Sequence, residues 1–283
     1  MIVAQRLRKG SCGSPRGAKR LVTDALATIK KLRTHPAETR VLFRADSAFN
    51  GRGPVLATVR AGAEVSVTVR LDSRVKAAIA AIGDDGWQAI EYTNAVFDQA
   101  SGAWISTAQV AEIPFTAFAA QKKTDQVFGR LVVRRIPDLN PHPGQATLFE
   151  TWRFHAFFTT STLDTVAADK THRGHAIIEQ VHADLKNSAL AHLPSGKFTA
   201  NAAWLVLAVM AFNLTRAAAT LAGPAMGKAT TATIRRKLVH VPARIASSAR
   251  RLTLHLPTTW PWENAWTILF TGLCAPPPAV AAT

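Results

Sequence analysis

The chain has 283 residues, enough for one large domain or two ordinary ones, and its hydrophobic fraction of 48% excludes a largely disordered protein. Its 34 Lys and Arg outnumber 18 Asp and Glu, which gives a formal net charge of +16 and predicts a polyanionic partner such as nucleic acid. Only Cys12 and Cys274 are present, so a disulfide scaffold and a cysteine-rich zinc module are excluded. The N-terminus lacks the apolar segment of a signal peptide, and the longest apolar run, residues 202–212, is about half a membrane span. These features predict a cytoplasmic protein without a membrane segment.

The first part of the chain predicts alternating strands and helices. Residues 2–8 and 40–44 are short apolar runs typical of strands, and residues 18–32 have the apolar spacing of a helix. Asp46 follows the second of these strands. A helix over residues 54–62, a strand over 64–71 and a helix over 75–82 continue the pattern. This order of elements predicts an α/β fold.

The middle of the chain has a different pattern. Residues 87–160 contain short alternating runs separated by turn residues, which predicts four to six antiparallel strands inserted into the α/β part. Helices are predicted again over residues 164–186 and 198–221, the second one buried. A Gly/Pro linker, β-like runs over 234–245 and 250–256, and a helix over 263–273 follow.

These patterns predict five segments. They are residues 1–71 as the first part of the core, 72–160 as a β-rich insertion, 161–223 as the second part of the core, 224–275 as a basic C-terminal segment, and 276–283 as a disordered tail.

A basic stretch between Leu185 and Trp262 contains no acidic residue. It includes Arg235, Arg236 and Lys237, which we predict to bind DNA through its phosphates. A solvated basic surface, or a general bias of the composition towards Arg and Ala, would explain the same charge pattern.

Residues 172–186, HRGHAIIEQVHADLK, predict an amphipathic helix with an unusual polar face. His172, His175, Glu179, His182 and Lys186 fall within an arc of about 80° on a helical projection. The larger apolar residues of the segment fall on the opposite side. A surface helix would usually mix several acidic and basic residues on its polar face, so this stripe predicts a site.

Three interpretations of this polar face remain open. The face is simply solvated, or it binds a transition metal, because Glu179-x-x-His182 has the spacing used in di-iron bundles. The third interpretation is a phosphoryl-transfer site in which Glu179 binds Mg²⁺ and Lys186 holds a phosphate.

The pattern His172-x2-His175-x3-Glu179-x6-Lys186 resembles the Tyr-x2-Arg-x3-Glu-x6-Lys signature of one branch of DDE-type insertion-sequence transposases. The segment RVLFRADSAFN resembles the strand that ends in the second catalytic Asp of that branch, which would be Asp46. A β insertion before the glutamate helix and a long apolar helix after it are also features of the branch. The resemblance covers about residues 5 to 270. It implies a ribonuclease H-like α/β core interrupted by an antiparallel β insertion.

The resemblance also implies a site that cleaves DNA with two Mg²⁺ or Mn²⁺ ions and then transfers the strand. Asp46 and Glu179 would be the catalytic carboxylates and metal ligands, and Lys186 would bind a DNA phosphate. His172 and His175 would take the places of the signature Tyr and Arg at the DNA. The implied partners are the element ends, the target DNA, and a second copy or a full-length transposase, in the cytoplasm and associated with the nucleoid.

The sequence departs from the family pattern in two ways. Histidine at both signature positions lacks the bidentate phosphate contact that arginine makes. The acids before Asp46 are Asp24, on a predicted helix, and Glu38, in a predicted loop, so neither lies on a strand of the core. We therefore expect the first strands of the core and the first catalytic Asp to be missing, and the chain to be a truncated, inactive transposase.

Two other functions fit the sequence. The basic stretch would make a non-catalytic DNA-binding protein that needs no metal. His172, His175, Glu179 and His182 would make a histidine-rich transition-metal protein.

Overall fold

The structure is a computed structural model that describes residues 1–33, 40–99, 102–137, 152–174 and 177–274. The chain forms two compact units. Lys9–Ala176 make up the sheet unit, and Met1–Arg8 together with Ile177–Thr283 make up the helical unit. The predicted boundary at residue 72 falls inside the sheet unit.

The sheet unit contains helices and strands in the order expected of a mixed α/β fold. Its helices are α1 (Ala18–Leu32), α2 (Arg52–Arg60), α3 (Ser73–Ala80) and α4 (Thr165–Arg173). Its strands are β1 (Leu42–Ala45), β2 (Glu64–Thr68), β3 (Gln88–Asp98), β4 (Ala103–Ala117), β5 (Val127–Pro137) and β6 (Trp152–Thr159). The α/β prediction is confirmed.

The strands form a single six-stranded sheet in the order β1-β2-β6-β5-β4-β3. β1 and β2 are parallel, and every other neighbouring pair is antiparallel. The predicted antiparallel segment is therefore joined to the α/β part through β6, which pairs with β2. The ribonuclease H-like assignment stays a prediction.

The two faces of the sheet are covered differently. One face carries the main apolar core, in which Val65, Val67 and Phe158 pack with Val55 of α2 and Val75 of α3. On the other face a smaller cluster joins Ala168 of α4 to Val132 and Phe157. Because side chains alternate along a strand, the small polar residues of β2 lie on the α4 side.

Local sequence explains where these helices begin. Asp72 precedes α3 and accepts a hydrogen bond from the Val75 amide at 2.9 Å. Asp164 precedes α4 and accepts one from the Ala167 amide at 2.9 Å. Aspartate is a favoured residue at this position because it satisfies an amide that has no partner inside the helix. α1 has the predicted bounds and carries Asp24, whereas Glu38 lies outside the described residues.

The helical unit contains helices and one hairpin. Its helices are α5 (Ile177–Lys186), α6 (Phe198–Leu221), α7 (Pro224–Gly227), α8 (Thr231–Ile234) and α9 (Glu263–Cys274), and its strands are β7 (Arg244–Ser248) and β8 (Arg251–His255). β7 and β8 pair as an antiparallel two-stranded sheet. A core cluster forms between the end of α6, α8 and α9, with Ala219, Ile234 and Leu238 at its centre.

α6 has the predicted bounds but not the predicted burial. Its buried residues are Asn201, Ala208, Val209, Phe212 and Ala219, and large apolar side chains such as Leu214 are exposed. By length and composition alone α6 is long and apolar enough to cross a membrane, and 22% of its most apolar window is buried inside the protein. A single helix of this kind is weak evidence for a membrane segment.

The polar side chains of α6 are nevertheless used within the helical unit. Asn201 binds the backbone of Ser195 in both directions, at 3.1 and 2.6 Å. Arg216 donates to the carbonyl oxygens of Gly227 and Ala229. These bonds hold the two ends of the helix against neighbouring segments of the unit.

Three predicted elements differ in the structure. Residues 2–8 do not form a strand, and the amide and carbonyl of Ile2 bind the side chain of Asn213 at 2.7 and 2.8 Å. The β-like run over 234–245 is helical at its start, where α8 continues into a π-helix over Arg235–Val239, and β7 begins only at Arg244. The helix expected over 164–186 is divided into α4 and α5. The expected disordered tail, residues 276–283, lies outside the described residues.

Candidate functional site

Asp46 lies at the carboxyl end of β1, as the sequence predicts. Its side chain accepts a hydrogen bond from the Ala48 amide at 2.9 Å and caps a short 3-10 turn over Ser47–Phe49. The residue is exposed, so the rest of its carboxylate is open to solvent. In α/β proteins the carboxyl ends of parallel strands are the usual place for a ligand site, and β1 and β2 are the parallel pair here.

His172 lies on α4 and does not present its ring to solvent. The ring is only 6% exposed and stacks on Phe157, with centroids 4.1 Å apart and planes 4° from parallel. Its Nδ1 lies 2.8 Å from the hydroxyl of Ser66 and its Nε2 lies 3.0 Å from the hydroxyl of Thr68. Both ring nitrogens are thus occupied by β2.

This placement corrects the predicted polar stripe, because His172 belongs to the packing between α4 and the sheet. The DNA contact predicted for His172 would require the loss of its bonds to Ser66 and Thr68. His175 lies outside the described residues, so its predicted DNA contact stays a prediction.

Asp169 is a second buried polar anchor of α4 that sequence reasoning missed. It is 2% exposed, and its carboxylate lies 2.8 Å from Nε of Arg173 and 4.0 Å from a guanidinium nitrogen of Arg134 on β5. A buried carboxylate is tolerated when basic groups compensate for its lost hydration. The spacing of Asp169 and Arg173, four residues apart on a helix, was the available sequence signal.

Arg44 connects β1 to the end of α4. Its guanidinium donates a hydrogen bond to the carbonyl oxygen of Thr171. A Cβ at Gly174 would lie 2.8 Å from the same guanidinium, so glycine leaves the space that this bond requires. The strand that ends in Asp46 is therefore held to the helix that carries His172.

Glu179 lies in the first turn of α5 and is exposed. A carboxylate is favoured there because the amino end of a helix carries partial positive charge. Lys186 is in the last turn of the same helix and is also exposed, about 10 Å further along the axis. Ile177 and Ile178, expected on a buried face, are 61% and 48% exposed.

Asp184 of α5 has a structural role that no sequence pattern indicates. Its carboxylate accepts the amide of Thr231 at 3.0 Å and the hydroxyl of Thr231 at 2.6 Å. It thus caps α8, whose other cap is the hydroxyl of Thr230 with the Thr233 amide at 3.3 Å. Through this bond α5 is joined to the basic segment that follows α8.

The basic residues predicted to bind DNA lie on the π-helix that extends α8. Arg235 and Arg236 are exposed. Lys237 is half-buried, and its ammonium lies 5.0 Å from the centre of the Trp262 ring. Ile234 and Leu238 are buried on the opposite side, so packing orients the two arginines towards solvent.

A divalent ion of the Mg²⁺ type requires several oxygen ligands in near-octahedral geometry. Among the described residues there is no group of three His, Cys, Asp or Glu side chains that could hold a metal ion. Asp46 belongs to the sheet unit and Glu179 to the helical unit. The donor set that the described residues provide within either unit does not by itself fit such an ion, so we derive no catalytic step through a metal.

The family described as Transposase DDE domain group 1 matches residues 1–275. The chain belongs to this family of DDE transposases. Membership implies DNA as the partner, and members of the family usually use a divalent metal. A search of curated protein sequences returns no match.

Proposed function

We propose that this protein binds DNA as a transposase and that Asp46 and Glu179 correspond to two of the carboxylates that bind metal in this family. The observation that carries the proposal is the family match over residues 1–275, combined with the exposed carboxylate of Asp46 at the carboxyl end of β1. Glu179, which matches the glutamate of the family signature, is an exposed residue in the first turn of α5.

Charge supports the DNA-binding part of the proposal. The formal net charge is +16, and the segment from Lys186 to Trp262 has no carboxylate to neutralise its basic residues. Lys186, Arg235 and Arg236 are all exposed in the helical unit. Exposed basic groups of this kind bind phosphates and release counterions, which makes the affinity strongly dependent on salt.

We further propose that the chain alone does not cleave DNA. Asp46 and Glu179 supply two carboxylates, whereas the resemblance implies three. Asp24 on α1 pairs with Arg20 at 2.9 Å, and the buried carboxylate of Asp169 lies beside two arginines, so both acids already have basic partners. A chain with two of the three carboxylates would act as a DNA-binding protein without catalysis, which is one of the alternatives that the sequence leaves open.

A nicking assay tests this proposal directly. The purified chain is incubated with supercoiled plasmid and Mg²⁺ or Mn²⁺, alongside Glu179→Gln and the matched Glu263→Gln, which alters a first-turn carboxylate of α9. We expect no nicking above background from any of the three. Nicking by the wild-type chain and Glu263→Gln, but not by Glu179→Gln, would overturn the proposed inactivity and support the role of Glu179.

DNA binding is measured on the same proteins without metal. We expect salt-sensitive binding of a labelled duplex that survives the combined change Asp46→Ala and Glu179→Ala, because neither carboxylate contributes positive charge. Absence of duplex binding by the wild-type chain at low salt would contradict DNA as its partner.

A transition-metal function finds less support. It requires His172 as a ligand, and both nitrogens of that ring are held by Ser66 and Thr68. Stoichiometric zinc or iron in the purified protein would instead support a transition-metal function.

A further inference from the structure

The β7–β8 hairpin has one strongly basic face. In its register Arg244 lies opposite His255, and Arg251 lies opposite Ser248. Because alternate residues of a strand point to the same side, these pairs share one face of the ribbon. Arg250 follows in the turn at the end of the hairpin. Three guanidinium groups are thus carried by one short element.

The opposite face of the hairpin is apolar. Ile245 lies opposite Leu254, and Ser247 lies opposite Leu252. Leu252 is 77% exposed and Ile245 is 67% exposed. This face offers a matched control, because it can be altered without any change in charge.

The hairpin extends into solvent. All of its strand residues except Ala246 are exposed, and within the described residues β7 and β8 pair only with each other. The turn residue Ala249 has φ 52, a left-handed backbone conformation that fixes a tight reversal between the strands. The element is therefore an accessible two-stranded ribbon with Arg250 at its tip.

We propose that this ribbon is a contact surface for duplex DNA, in which Arg244, Arg250 and Arg251 bind backbone phosphates. The proposal rests on the DNA-binding function proposed above and specifies where that binding occurs. The major groove of DNA admits a two-stranded β-ribbon, and β7 and β8 form such a ribbon. The planar guanidinium group matches the geometry of phosphate oxygens. The surrounding sequence, residues 186–262, contains no carboxylate that would compete for these arginines.

Fluorescence anisotropy with a labelled linear duplex tests the proposal in the full chain. The variant R244Q/R250Q/R251Q is compared with K30Q/K122Q/K123Q, which removes the same charge from exposed lysines of the sheet unit. We expect the hairpin variant to lose more than about tenfold in affinity at moderate salt, and the slope of log Kd against log salt to fall by about two to three. The lysine variant should stay within about threefold of the wild type, because only nonspecific charge is lost.

Two further variants separate ribbon geometry from charge. Ala249→Pro keeps every arginine but fixes φ near −65°, which is incompatible with the turn, so it should lose affinity to a similar degree. L252T/L254T alters only the apolar face and should bind duplex as the wild type does. Wild-type affinity in Ala249→Pro would show that binding does not need the hairpin geometry and would overturn the proposal. A loss of affinity confined to L252T/L254T would show that the apolar face binds DNA and would also overturn it.

The same experiment distinguishes failure of this inference from failure of the proposed function. If the wild type binds duplex and the arginine and lysine variants lose affinity equally, the hairpin site is overturned and the proposed function stays intact. Absence of wild-type binding would overturn both. A hairpin variant that loses binding to phosphatidylglycerol vesicles but keeps its affinity for duplex would show that the surface serves a membrane and would overturn the DNA site.

Discussion

His172 is the residue whose role in the structure differs most from the DNA contact predicted for it from the sequence. Its two ring nitrogens contact Ser66 and Thr68 of β2, and its ring stacks on Phe157 of β6. A side chain with this many buried contacts contributes to the free energy of folding, whatever else it does. We therefore treat His172 first as the residue that holds α4 on the sheet.

Replacing His172 with alanine should destabilise the sheet unit by about 2–4 kcal/mol, because the buried hydroxyl of Ser66 and the half-buried hydroxyl of Thr68 lose their partner and a cavity remains. The exposed His182 of α5 provides the control, and His182→Ala should change stability by less than about 0.5 kcal/mol. Urea unfolding followed by circular dichroism measures both. Equal stability of the two variants would show that the His172 contacts contribute little.

α8 is a helix of only four residues, and its position depends on a contact from α5. Asp184 accepts both the amide and the hydroxyl of Thr231, and the exposed arginines follow directly on the π-helix. A helix this short does not persist through its own hydrogen bonds. Asp184 is therefore expected to set the orientation of Arg235 and Arg236.

Asp184→Ala should lower the stability of the helical unit by about 1–3 kcal/mol, since the helix loses its cap and the Thr231 amide loses its acceptor. Asp24→Ala is the matched change, because its ion pair with Arg20 is exposed and should contribute less than about 0.5 kcal/mol. Chemical denaturation of the two variants compares them. If Asp24→Ala proved the more damaging change, the capping role of Asp184 would be wrong.

Elements with a clear period and local end signals could be predicted from the sequence. The bounds of α1 and α6 agree with their apolar spacing, and Asp46 follows its strand as expected. The division between α4 and α5 was missed because the helical projection treated Gly174 as an ordinary helical position. α8 was missed because it is short and because one of its two caps, Asp184, lies 47 residues away in the sequence.

The candidate site was predicted only where the signal was local. The position of Asp46 depends on one strand, which the sequence indicates. The burial of His172 depends on Ser66 and Thr68, which are 106 and 104 residues away in the sequence. Periodicity along one segment carries no information about such distant partners. The same limit explains why Asp169 and its partner Arg134 were not recognised.

At the scale of the whole molecule, the chain consists of two compact units with separate apolar clusters. Units with their own cores can unfold in separate cooperative transitions. The sheet unit has the larger core, built on the faces of a six-stranded sheet.

Differential scanning calorimetry of the full chain should therefore show more than one transition. His172→Ala should shift the transition of the sheet unit, and Asp184→Ala should shift that of the helical unit. A single transition lowered by both changes would mean that the units unfold together.

The position of β1 at one edge of the sheet has a consequence for what the protein can bind. Within the described residues, the outer side of this four-residue strand pairs with no neighbour, so its backbone amides and carbonyls could accept an extended segment. A segment that added in parallel would place its own carboxyl end next to Asp46. Any extended segment that paired with this edge would therefore lie beside the candidate catalytic carboxylate.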